Sequence, residues 1–114
     1  MYPLTKVKMK QQRQKRIRRF FNNHYEGSDV TWCTDEWTAP EGKRLILMHK
    51  EQLNDTYYFV CKKQNESNMQ IMKLVYTEGL VRIIKVSDKT FAKNKAIFSE
   101  WIDIAEIKNG RYHY

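Results

Sequence analysis

Cysteine, proline and glycine are scarce in this chain: two, two and four among 114 residues. Cys33 and Cys61 stand far apart without a Cys-x-x-Cys pair, and His24, His49 and His113 show no metal-ligand spacing. No metal or other cofactor is therefore expected. Two isolated cysteines fit buried free thiols in a reducing compartment. Long apolar runs are missing as well. No segment approaches the roughly 20 apolar residues of a membrane span. The charged N-terminus is not followed by the apolar core of an export signal, so the expected location is the cytoplasm. The fingerprints GxSxG, HExxH, the P-loop and the dinucleotide-binding glycines are absent, which argues against an enzyme of those classes. RNP, KH and helix-turn-helix signatures are absent too.

The most informative scarcity is of acid. No Asp or Glu occurs before Glu26, while Lys6, Lys8, Lys10, Arg13, Lys15, Arg16, Arg18 and Arg19 supply eight positive charges. The rest of the chain carries thirteen Lys/Arg against thirteen Asp/Glu, so the formal net charge of +8 belongs to one segment. A concentrated cationic segment attracts a polyanion and speeds encounter with it. Nucleic acid is the commonest such partner of a small basic protein.

A chain of 114 residues has room for one core, here residues 1–114, divided into a basic helical segment (1–25) and a strand-rich body (29–114). A chain of this size buries roughly 65% of the surface its unfolded form exposes, enough for an unassisted core. Aromatic residues make up 13% of the chain.

Residues 6–25 read as a helix rich in Gln, Arg and Lys, stopped by Gly27. Ile17, Phe20, Phe21 and His24 follow i, i+3, i+4, i+7 spacing and give its second half a face to bury. From Asp29 onward the period falls toward two, giving strands at 29–37, 44–49, 56–62, 69–76 and 80–86. The continuous apolar run of residues 45–48 fits a strand covered on both faces. The short connections at 64–68 and 77–79 make the last three an antiparallel meander. Ser87 or Asp88 suits the cap of a short helical turn. Residues 96–107 read two ways, since Phe98, Trp101, Ile102 and Ala105 have helical spacing whereas Ile102 and Ile104 alternate about Asp103. Asn109-Gly110 favours a hairpin between 101–107 and 111–114 and tips the reading toward strand. The expected fold is α+β, a small, mostly antiparallel β-barrel of six or so strands with a basic N-terminal helix.

The candidate nucleic-acid-binding residues are Lys10, Arg13, Lys15, Arg16, Arg18 and Arg19 on the helix, with Tyr58 and Trp37 as surface rings for stacking bases. Arginine grips a phosphate with two donors, and Gln11, Gln12 and Gln14 stand between the cations to donate to sugar or base edges. On a strand, Tyr58 faces outward if Tyr57 and Phe59 face the core. Two other classes compete. An adaptor would dock a protein through a seam of Ile17, Phe20 and Phe21 flanked by charge. A small metal-independent endoribonuclease would draw on the tail Arg111-Tyr112-His113-Tyr114.

Taken whole, the chain resembles the PrgU-like proteins, small cytoplasmic regulators carried on the pheromone-responsive conjugative plasmids of enterococci. The resemblance runs over essentially the full length. It rests on size, on Met1-Tyr-Pro-Leu-Thr-Lys leading into the Gln/Arg/Lys helix, on Trp32-Cys-Thr-Asp-Glu-Trp37, and on the strand-rich body. It implies a PUA-like fold, a pseudo-barrel that commonly binds RNA, and a role in limiting conjugation-related surface adhesins. It supplies no catalytic residues. The partner expected on both grounds is RNA, as a single strand or a structured mRNA leader, with DNA second and no membrane.

Overall fold

Apolar spacing sets the position of the first helix. In the computed structural model, which describes residues 2–31, 44–77 and 79–112 with side chains over 10–30, 44–77 and 79–111, helix α1 spans Tyr2–Asn23. Ile17 is buried, the Phe20 ring lies 6.1 Å from that of Phe59, and the Phe21 ring lies 4.9 Å from that of Tyr57. The seam of Ile17, Phe20 and Phe21 thus belongs to the core. The last turn of α1 contains no basic residue of its own. Its terminal carbonyls are capped from the sheet instead, where Lys50 Nζ donates to Phe21 O (2.8 Å) and His24 O (2.9 Å). Burial lowers the pKa of this lysine, and nearby Glu26 partly opposes the shift.

Gly27 then turns the chain at φ 91°, a left-handed conformation costly for a side chain, and its N–H donates to Leu47 O at 2.7 Å. The turn leads into a five-stranded antiparallel sheet: β1 (Asp29–Thr31), β2 (Arg44–Leu53), β3 (Thr56–Lys63), β4 (Met69–Thr77) and β5 (Leu80–Lys85), paired in chain order. Tight polar turns make this meander. Asn54, at φ 55°, links β2 to β3, Asn65 at φ 67° lies between β3 and β4, and Gly79 at φ 82° lies between β4 and β5. The expected strand at 29–37 is seen as far as Thr31; the remainder lies outside the described residues.

Strand β2 is irregular in its middle. Leu47 pairs with Cys61 but His49 pairs with Val60, so Met48 is an extra residue in β2. Leu45 and Leu47 pack on the α1 side of the sheet, and Met48 on the other. After the bulge the alternation resumes one residue late. His49 follows Met48 away from α1, and Lys50 returns beneath it.

The opposite face is roofed by α2 (Asp88–Lys93) and α3 (Lys95–Tyr112). Ser87 caps α2, its Oγ accepting from Thr90 N at 3.2 Å, as its position in the sequence suggests. Phe98, Trp101 and Ala105 are buried on α3 and meet Met48, Tyr58, Val60 and Ile71 of the sheet. This corrects the reading of residues 96–107 as a strand. The spacing of Phe98, Trp101, Ile102 and Ala105 prevails, and Asn109-Gly110 lies within the helix rather than at a hairpin tip. The apolar underside of the sheet supplies packing that overrides the local turn preference. The fold is therefore α+β, with a curled half-barrel sheet covered by helices on both faces. Its described strands number five rather than six or so.

Candidate nucleic-acid interface

All six cationic candidates on α1, Lys10, Arg13, Lys15, Arg16, Arg18 and Arg19, are solvent-exposed. At about 100° per residue, Lys15 and Arg19 point away from the sheet, Arg16 and Arg18 leave on opposite flanks, and Lys10 and Arg13 share the azimuth of Ile17. The cations therefore surround the helix rather than lying on one face of it.

Two of the intervening and flanking groups are already engaged. Gln14 Nε2 donates to Asp55 O in the β2–β3 turn at 2.9 Å, which pins α1 there and removes one of the glutamines proposed for a ligand. Arg18 Nε donates to the Tyr57 hydroxyl at 3.0 Å, which uses one of the five guanidinium donors and orients the fork.

Concave surface follows the helix on both sides. An open groove of about 760 Å³ runs past Lys10, Arg13, Lys15 and Arg18 to Asp55 and Tyr76. A second, of about 350 Å³, is bordered by Arg16, Arg19, Tyr76, Leu80 and Val81. Tyr76 of β4 lines both. It is half-buried, packs on the α1-side core, and has the Arg16 guanidinium carbon 6.0 Å from its ring centroid. It carries the aromatic face that sequence reasoning assigned elsewhere. The signal available in the sequence was its place at the outer end of a strand, where the core tapers.

Tyr58 does not serve as a surface ring. It is buried on the α3 side, 5.2 Å from Phe98 and 5.4 Å from Trp101, and that burial raises its pKa while the Thr56 side chain partly opposes the rise. The expectation that it faces outward assumed one covered face, whereas the sheet has two. Trp37 lies outside the described residues, as do His113 and Tyr114 of the tail.

A polar network that the sequence did not announce lies beneath α3. Lys108 Nζ meets His49 Nδ1 at 2.8 Å and also bonds Glu26, while His49 Nε2 meets Glu51 Oε1 at 2.9 Å. An ammonium only donates, so Nδ1 accepts and the ring proton assigned by this network sits on Nε2, donating to Glu51. Both imidazole nitrogens are thereby occupied. The group ties the α1–β1 turn, β2 and α3 together and leaves His49 no free nitrogen for a substrate proton.

Among the described residues, no group of three or more His, Cys, Asp or Glu could hold a metal ion, and no helix is long and apolar enough to cross a membrane. Comparison with known proteins finds no matching family model, no matching curated protein and no matching solved structure.

Proposed function

We propose that the chain is a non-enzymatic RNA-binding regulator whose helix α1 grips phosphates. The observation that carries this reading is the anchoring of one cationic helix. Ile17, Phe20 and Phe21 hold α1 to the sheet while six Arg and Lys side chains around it stay in solvent. A solvated face that served only solubility would need no grooves on either side of it. The buried seam also counts against the adaptor alternative, which requires those three residues at a surface. RNA is placed before duplex DNA on the resemblance, which implies a pseudo-barrel that commonly binds RNA. The biological setting is carried by the resemblance alone: a PUA-like member of the PrgU-like group, acting in the cytoplasm to limit expression of plasmid conjugation and surface-adhesin genes.

The test is the salt dependence of binding to labelled single-stranded RNA. Five phosphate contacts give a slope of log K against log salt of about −3.5. Replacing Arg13, Arg16, Arg18 and Arg19 together with Gln is expected to flatten that slope while circular dichroism and thermal melting show the fold retained. An unchanged slope removes α1 from the interface.

A further inference from the structure

We infer that Arg16 and Tyr76 form a clamp for one unpaired nucleobase, so that the ligand of α1 is a single strand rather than a duplex. The inference rests on the reading of α1 as a nucleic-acid interface and deepens it. Tyr76 faces α1 from the end of β4, opposite Val81 of β5. One side of its ring is supported by the core, and its remaining surface is the wall shared by the two grooves. A ring so backed is a rigid platform.

Arg16 completes the arrangement. Its guanidinium carbon stands 6.0 Å from the ring centroid. A base stacked between two planes needs about 7 Å, twice the roughly 3.4 Å rise of a nucleic-acid strand. Arg16 is exposed and makes no hydrogen bond or ion pair among the described residues, so a swing of about 1 Å opens the slot. Aromatic rings and guanidinium planes are the surfaces on which splayed bases stack.

The surroundings match a strand that passes through the clamp. On one side the larger groove offers Lys10, Arg13 and Arg18 to phosphates; on the other Arg19 does so, beside Leu80, which is 57% exposed and offers an apolar contact to a neighbouring base. A duplex presents phosphates to these cations but no free base face to Tyr76.

The experiment uses the full chain with two probes of equal length, a single-stranded RNA carrying 2-aminopurine and the same RNA as a duplex. Tyr76→Phe keeps the ring and is expected to bind like wild type. Tyr76→Leu keeps apolar bulk without a ring, and is expected to weaken single-strand binding about 5- to 150-fold, the range for one stacked base. Duplex binding and the salt slope should change little. Quenching of 2-aminopurine should appear with wild type and Tyr76→Phe and disappear with Tyr76→Leu. Should Tyr76→Leu fail to fold, Arg16→Ala, on the exposed face of α1, reads the same loss of quenching and of single-strand preference. Salt-steep binding with no single-strand preference, or a preference that survives both variants, overturns the clamp and leaves the interface standing. Absence of binding to either probe overturns both.

Discussion

Cys61 shows how completely single side chains in this sheet are committed. It is fully buried on the α1 side, and desolvation pushes its thiol far above the ordinary range. In a Cys33→Ser background, maleimide labelling of Cys61 is expected only after denaturation; rapid labelling of the native protein would contradict its placement. Lys50 makes a second residue-scale test. Lys50→Met leaves the Phe21 and His24 carbonyls without their donor and is expected to cost about 1–3 kcal/mol in urea unfolding. The pH dependence has a definite sign. Lys50 binds its proton less tightly folded than unfolded, because burial lowers its pKa from 10.5. Between the lowered value and 10.5 the folded state holds fewer protons, so this group's contribution to stability rises with pH through that window. The margin of wild type over Lys50→Met should therefore widen, not narrow, as pH climbs toward 10.5. Side-chain identity was readable at this scale but exposure was not. Strand alternation sets Tyr57 and Tyr58 on opposite faces, yet only the packing of α1 and α3 shows that both faces are roofed and that Tyr76, at the end of β4, stays half-buried.

The elements differ in how much of their character was local. The meander was legible because polar turn residues punctuate apolar runs, and the apolar run of β2 does serve both faces, with Leu45 and Leu47 on one and Met48 on the other. Helix α3 was not legible, since β-branched residues and Asn109-Gly110 compete locally with a helical face whose partner is distant in sequence. Gly110 separates the two readings by experiment. It sits in α3 with φ outside the left-handed region, and a Cβ there would meet nothing within 4 Å. Gly110→Ala is expected to stabilise the protein by about 0.5–1 kcal/mol, seen as a higher melting temperature. In an Asn-Gly hairpin the same change would destabilise, because such a turn needs positive φ. The bulge in β2 could not be read from the sequence either. It turns His49, with Glu51 two residues on along the same face, toward Lys108 and Glu26, to which no spacing connects them. Lys108→Met is expected to lower stability by about 1–3 kcal/mol by leaving buried His49 and half-buried Glu26 without their partner.

For the whole molecule the decisive arrangement is a balanced body carrying one cationic helix. Charge segregation was plain in the sequence, because Lys and Arg are counted without knowing the fold. The extent to which the sheet curls was not, since closure depends on pairing between strands far apart in the chain. The sheet is a curled half-barrel covered by helices on both faces, and α1 lies across one of them with grooves on either side. A polyanion bound along α1 should release counterions and bind with steep salt dependence, whatever its sequence. The measurement that tests this most directly is equilibrium binding of the intact protein to labelled single-stranded RNA and duplex DNA of equal length, from about 50 to about 300 mM salt. Tight binding that favours RNA and weakens along a slope near −3.5 is the expected result. Weak, salt-insensitive binding to both would contradict it and make the cationic face of α1 a surface for some other partner.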